Sequence, residues 1–187
     1  MSSKHPNHGR AAGVRDRAWD PHAAQVLLVT RVLLVTGARS LANDPDAERW
    51  ARAKIAAALA GTDLLIVGDA DGPDAWAWEA GTPCGDRWQY NATGIGAGWV
   101  YERAAMERRQ WAPPGASTHP LRRNEAMVAD CKRLAAEGAT VSVLALLDGR
   151  KPAVTKHGEK RPTRGTEHTV GLARSAGLSV REERWAL

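Results

Sequence analysis

Three short turns hold the residues whose types and spacing could bind an anionic ligand. They are residues 36–40 (Thr-Gly-Ala-Arg-Ser), 68–74 (Gly-Asp-Ala-Asp-Gly-Pro-Asp) and 164–166 (Arg-Gly-Thr). Glycine in each turn lets the backbone approach a bound group closely, and Arg39 offers a planar fork of donors to a phosphate or carboxylate. Because glycine after a strand also serves to reverse the chain, the order of the three turns, rather than any one of them, indicates a binding site.

The first turn follows an apolar run that predicts a buried strand. Val-Leu-Leu-Val-Thr occurs twice, at residues 26–30 and 32–36, and only the second copy is followed by glycine. A continuous Val/Leu run ending at glycine is typical of a strand buried on both faces of a parallel sheet. We therefore assign the second copy to the first core strand and the first copy to an edge strand or a lead-in. Residues 64–67 form the next short buried strand.

Helix signals alternate with these strands. Asp44 is a predicted N-cap followed by proline and an acidic first turn, and Gly61 ends that helix. A second helix begins within residues 72–80. Asn124 is the predicted cap of a later helix that Gly138 ends, after which we expect a strand at 140–147, a helix at 165–177 and a strand at 178–180. This alternation predicts an α/β domain of three layers with a mainly parallel sheet.

The segment 82–120 departs from this pattern and is rich in tryptophan and glycine. We interpret it as an irregular insertion with a helix at about 100–110. Gly-Ile-Gly-Ala-Gly at residues 94–98 lacks the preceding buried strand and the spacing of a dinucleotide fingerprint, so a loop is the better interpretation. Trp76, Trp78 and Trp88 could stack a nucleobase, but packing in the core or the insertion is the favoured alternative.

Composition places limits on organisation and partners. The 187 residues, 43% hydrophobic and 25% charged, are typical of one globular domain, here residues 25–187, preceded by a flexible N-terminal arm at 1–24. A net charge of +5 favours anionic partners mildly. The basic stretch 150–164 is equally well explained as a solvated loop.

The cysteines and the apolar runs predict a cytoplasmic protein without a membrane partner. Cys84 and Cys131 lie far apart, with no spacing typical of a disulfide framework or a zinc site. No apolar run is long enough to span a bilayer, and no secretory signal is recognisable. Self-association stays open because no apolar stripe identifies an interface.

The order of these motifs resembles the SLOG superfamily, and within it the domain of unknown function related to YspA and to the C-terminal domain of YpsA. The resemblance spans roughly residues 31–180. The residues that carry it are Thr36-Gly37-Ala38-Arg39, Gly68 with Gly72 and Asp74, Arg123-Asn124 with Met127, and Gly165-Thr166.

The resemblance implies a Rossmann-like fold and binding of a nucleotide or a nucleotide-derived ligand at the carboxyl ends of the parallel strands. Relatives in that superfamily include cytokinin-activating phosphoribohydrolases and the DNA-processing protein DprA. The implied ligand-binding residues are Thr36, Gly37, Arg39, Ser40, Gly68, Gly72, Asp74, Arg123, Asn124, Gly165 and Thr166.

Catalysis is less well supported by the resemblance than binding. The hydrolase branch carries Pro-Gly-Gly-x-Gly-Thr-x-x-Glu, whereas residues 162–169 lack the paired glycines and have Thr169 at the position of the glutamate. Glu167 and His168 are weak candidates for acid–base work, although a first-turn glutamate also complements the helix dipole. We therefore expect ligand binding or sensing. The alternatives are hydrolysis of an N-glycosidic or phosphate bond in a nucleotide-like substrate and DprA-like binding of single-stranded nucleic acid.

Overall fold

The computed structural model describes residues 30–150 and 164–186 of the chain. Within these ranges it contains one sheet of seven strands and four α-helices, joined by short loops and 3₁₀ turns. The strands are β1 (Arg31–Gly37), β2 (Leu64–Gly68), β3 (Asp86–Tyr90), β4 (Trp99–Glu102), β5 (Glu107–Gln110), β6 (Thr140–Asp148) and β7 (Ser179–Trp185). The helices are α1 (Pro45–Leu59), α2 (Pro73–Ala80), α3 (Pro120–Ala136) and α4 (Arg164–Ser175).

The sheet has the strand order β5-β4-β3-β2-β1-β6-β7. The five strands from β3 to β7 in this order run parallel, and the β4–β5 hairpin pairs antiparallel at the β3 edge. From β1 the chain first builds outward through β2 and β3, and later builds the other side through β6 and β7. The order therefore reverses between β1 and β6, and the predicted α/β fold with a mainly parallel sheet is confirmed.

The core consists of two apolar layers, one on each face of the sheet. Alternate residues of β1 enter opposite layers, with Val32 and Leu34 facing α3 and α4 and with Leu33 and Val35 facing α1 and α2. All four side chains are buried. The continuous Val/Leu run is thus explained by burial on both faces, as the sequence predicts.

Most of the predicted helix ends are confirmed. Asp44 caps α1, its Oδ1 accepting hydrogen bonds from the backbone N–H groups of Asp46 at 2.9 Å and Ala47 at 3.2 Å. Gly61 and Gly138, which follow α1 and α3, adopt φ angles of +70° and +101°, a region that glycine enters without steric cost.

The start of α3 differs from the prediction. The helix begins at Pro120, and the Nδ1 atom of His119 accepts a hydrogen bond from the N–H of Leu121 at 3.2 Å. Asn124, predicted as the cap, lies one turn inside the helix and is buried. Proline at the first helical position is the signal that locates this start.

The helix predicted at about 100–110 is wrong. The segment forms β4 and β5, joined by a turn in which Met106 has a φ of +53°. In β4, Trp99 and Tyr101 lie on one face, and Val100 and Glu102 lie on the other, which is the period of a strand. Strands β3, β4 and β5 all lie within the segment 82–120, so this segment extends the main sheet.

Several predicted features lie outside the described residues. They are the N-terminal arm at 1–24, all but the last residue of the first Val-Leu-Leu-Val-Thr copy, and the part of the basic stretch at 151–163. Among the helices of the described ranges, none is both long and apolar enough to cross a membrane.

Candidate functional site

A cavity of about 440 Å³ opens where β1 ends and the order of the strands reverses. Its volume falls in the range of sites for small molecules, and such reversal points are where open α/β sheets bind ligands. Its wall is formed by the turn after β1, the loop after β2, and the N-terminal ends of α3 and α4. The lining residues are Thr36, Gly37, Ala38, Arg39, Ser40, Ala70, Asp74, His119, Pro120, Leu121, Arg123, Asn124, Gly165 and Thr166.

The cavity brings together nine of the eleven predicted ligand-binding residues, all except Gly68 and Gly72. The three turns come from separate parts of the sequence, and the parallel sheet places their strand ends on one edge. Sequence reasoning missed the contribution of residues 119–121 because the start of α3 was assigned to Asn124. The sequence signal for this helix start was Pro120, which follows directly after the capping residue His119.

Packing against protein atoms explains the glycines at positions 37 and 68. A β-carbon on Gly37 would lie 2.4 Å from Cγ of Pro73, and one on Gly68 would overlap Arg123 and Asp74. Gly72 adopts a φ of +83° immediately before α2. Gly68 and Gly72 thus shape the turn that carries Asp74, and neither of them lines the cavity.

Arg123 is the centre of a buried polar cluster, which we call the Arg123 cluster, made with Asp69, Asp74 and Asn124. The guanidinium donates to Oδ1 of Asp69 and, through Nε and Nη2, to Oδ1 of Asn124 at 3.1 and 2.9 Å. Its Nη2 lies 3.8 Å from Oδ2 of Asp74. The side chain is only 5% exposed, so the two carboxylates compensate a cation that water cannot solvate.

Asn124 joins the two helix N-termini at the cavity. Its Nδ2 donates a hydrogen bond of 3.1 Å to the carbonyl oxygen of Gly165 in the first turn of α4. The same carbonyl accepts 3.0 Å from Oγ1 of Thr169. Thr169, which stands at the position of the hydrolase glutamate, is fully buried, and its hydroxyl is used in this hydrogen bond within α4.

The two carboxylates of the Arg123 cluster have opposite pKa shifts. Burial raises the pKa of Asp74 to about 6, where the charge of Arg123 opposes the rise and that of Asp69 reinforces it. Burial also raises the pKa of Asp69, but hydrogen bonds from Thr93 and the charge of Arg123 outweigh it, and the pKa is lowered overall. Asp69 is held as an anion, whereas Asp74 titrates near neutral pH.

Arg39 supplies positive charge to the rim of the cavity. It is exposed and has no acidic ion-pair partner within residues 30–150 and 164–186. The neighbouring Ser40 is held in place, because its Oγ donates a 2.8 Å hydrogen bond to Oδ2 of Asp148 at the end of β6. Arg150 in turn donates to Asp148 and contacts Asp44. The turn that carries Arg39 is therefore anchored while its guanidinium stays available to an anion.

The structure does not bring Glu167 and His168 to the cavity. Nε2 of His168 lies 3.6 Å from Oε1 of Glu125 on α3. Burial raises the pKa of Glu167, with smaller influences from Arg184 and Glu182 of β7. His168 is thus directed towards α3, and neither side chain lines the cavity. In the described ranges, no group of three or more His, Cys, Asp or Glu side chains is arranged to hold a metal ion.

Comparisons with protein-family models, with curated proteins and with solved structures gave no match to this chain. The chemistry of the cavity is therefore inferred from its own residues.

Proposed function

We propose that the cavity binds a nucleotide or a nucleotide-derived small molecule and that the domain acts as its binding or sensing module. The observation that carries this proposal is the meeting of the N-terminal ends of α3 and α4 with the unpaired Arg39 of the described chain around one cavity. Helix N-termini present free N–H groups and a partial positive charge to anions, and arginine is suited to phosphate.

The remaining wall suits the uncharged part of such a ligand. The Arg123 cluster carries one cation and two carboxyl groups, and Asp74 lines the cavity. A carboxylate there would accept hydrogen bonds from sugar hydroxyls or base amino groups. An anionic group would then lie near Arg39 and Thr166, with the hydrogen-bond donors of the ligand towards Asp74.

The motif residues at the cavity support membership of the YspA-related branch of the SLOG superfamily. Both cysteines are free thiols, which supports a reducing, cytoplasmic setting.

The test is calorimetry and thermal shift of the full chain against nucleoside mono-, di- and triphosphates and ADP-ribose. We expect one of them to stabilise the protein and Arg39→Ala to weaken its affinity by about tenfold or more, because a hydrogen bond to a charged group contributes about 1.5–3 kcal/mol. Arg49→Ala is the matched control, since Arg49 is 79% exposed and, among the described residues, pairs only with Asp46 on α1. Absence of stabilisation by every nucleotide would overturn the proposal.

A second candidate is hydrolysis of such a ligand, which the position of Asp74 favours. Among the cavity residues Asp74 combines burial with a pKa of about 6, and an acid or base is most effective when its pKa lies near the working pH. Incubation with nucleoside monophosphates, followed by chromatography, tests this. Free base or phosphate that appears with the wild type but not with Asp74→Asn would support hydrolysis, and unchanged substrate would leave binding alone.

A further inference from the structure

The outer part of the sheet presents a second surface with chemistry of its own. Helix α3 covers one side of the β4–β5 hairpin, where Val100 is buried in the core and Arg109 pairs with Asp130. The other side of the hairpin contacts α2 through Trp78 and Tyr101. Because side chains alternate along a strand, Trp99 and Tyr101 share one face of this hairpin. Their cross-strand partners on β5 are Gln110 and Arg108. We call this side the aromatic–arginine face.

One cation–π contact and one tilted contact between aromatic rings lie on this face. The guanidinium carbon of Arg87 lies 4.6 Å from the centre of the Trp78 ring, and Trp78 lies 6.1 Å from Tyr101 at a tilted angle of 56°. Trp99 is 38% exposed and Arg108 is also exposed. Trp78 is half-buried, unlike Trp76 and Trp88, which are buried and unavailable for stacking. The exposed ring of Trp99 and the exposed Arg108 thus lie on the same face of the hairpin.

Charge is segregated between the two sides of the hairpin. The acidic residues lie on the α3 side, where Asp86 accepts from Nε1 of Trp88 at 2.7 Å and the buried Glu102 contacts Arg109. Glu107 pairs with Glu102 in the ladder and shares that side. In contrast, within the described ranges Arg87 and Arg108 form no ion pair with an acidic side chain. The nearest acid on α2, Glu79, is paired with Arg52 at 3.0 Å.

We propose that the aromatic–arginine face binds single-stranded nucleic acid. Unpaired bases stack on aromatic rings without regard to sequence, and arginines contact the backbone phosphates. The arginines of this face would also attract an acidic peptide, but such a peptide would leave the exposed ring of Trp99 without a flat partner. The face shares no residue with the cavity, so this activity is independent of the proposed small-molecule function.

The test is fluorescence anisotropy of the full chain with labelled oligothymidylate, oligouridylate and a DNA duplex of equal length, at low and moderate salt. We expect both single strands to bind more tightly than the duplex. Trp99→Ala should weaken binding by about tenfold, as expected for the loss of one stacked base. Arg108→Ala should reduce the salt dependence by about 0.7 in the slope of log affinity against log salt, as expected for one phosphate contact. Arg49→Ala, which removes the same charge elsewhere, should do neither.

The outcomes separate the alternatives. Binding of only one of the two single strands would still support nucleic-acid binding at this face, and it would show whether the protein recognises the ribose 2′-hydroxyl. Absence of binding at low salt, equal affinity for the duplex, or affinity lost in Arg39→Ala but kept in both face variants would overturn the proposal. Sedimentation that shows a dimer dispersed by Trp99→Ala would overturn it in favour of a second copy of this chain. Because Arg108 is exposed and charged, its variant stays informative even if Trp99→Ala reduces folding.

Discussion

Gly68 and Arg123 are packed so closely that a β-carbon at position 68 would lie 2.4 Å from the guanidinium carbon. The same β-carbon would lie 2.5 Å from Oδ2 of Asp74. The absence of a side chain at position 68, at the end of β2, therefore leaves the space that the Arg123 cluster occupies. The cluster in turn connects β2, α2 and α3 beneath the cavity.

Replacement of Gly68 by alanine should destabilise the protein. The added methyl group must displace Arg123 or Asp74, and overpacking of a buried site costs about 1–3 kcal/mol. We expect the free energy of unfolding in urea to fall by about that amount. Gly171→Ala is the control, because no atom lies within 4 Å of its β-carbon and it sits on α4, where alanine should add up to about 1 kcal/mol. Equal stability of Gly68→Ala and wild type would contradict the packing.

Removal of the Tyr90 hydroxyl should loosen the contact between the sheet and α3. This hydroxyl donates to Asp130 and accepts a hydrogen bond of 2.7 Å from Arg109. Burial and the charge of Asp130 raise the pKa of Tyr90 well above its usual value, so the phenol stays a donor at neutral pH. Tyr90→Phe should lower the free energy of unfolding by about 1–2 kcal/mol. Tyr101→Phe, a half-buried tyrosine on the other face of the hairpin, should change it far less, and equal effects would argue against the hydrogen-bonded role.

The elements with strong periodicity were predictable from the sequence. The β1 run, the Asp44 cap and the terminating Gly61 and Gly138 are local signals, and each was confirmed. The hairpin was missed because a short stretch such as 99–110 carries too few apolar residues to separate period 2 from period 3.6. Its pairing depends on contacts such as Arg109 with Glu102, which bring together residues that no local pattern relates.

The positions of the candidate site residues were likewise predictable from local signals, but the contacts among them were not. The turns lie after strands, and the parallel order places them on one edge. Neither the burial of Arg123 nor its sharing by Asp69 and Asp74 follows from spacing, because these contacts join residues 49 or more positions apart. The exclusion of Glu167 and His168 from the cavity likewise depends on how α4 is rotated against α3 and β7.

The two cysteines should react with thiol reagents at very different rates. Burial raises the pKa of Cys84 and raises that of Cys131 to about 12. Cys84 is half-buried and Cys131 is fully buried. Because the thiolate is the reactive form, Ellman's reagent should label Cys84 first and Cys131 only as the core opens. In Cys84→Ser the fast phase should disappear and the slow phase remain. A fast phase that survives this substitution would place Cys131 outside the core.

Asp74 should make the stability of the folded chain depend on pH. Its pKa is 3.8 for the ordinary carboxyl and about 6 when folded, so between these values the folded state binds more protons than the unfolded state. Stability from this group is therefore fully present below pH 3.8 and is lost as the pH rises through about 6. The Asp74→Asn variant lacks this titrating group. Because Asp69, Arg123 and Arg39 are present in both proteins, the difference in stability between them reports on Asp74 alone. The unfolding free energy of Asp74→Asn relative to wild type, measured in urea, should therefore rise by roughly 3 kcal/mol between about pH 3 and 8, given 1.36 kcal/mol per unit of pKa. A difference that stays constant over this range would mean that Asp74 is ionised throughout and is as well compensated by Arg123 as Asp69 is.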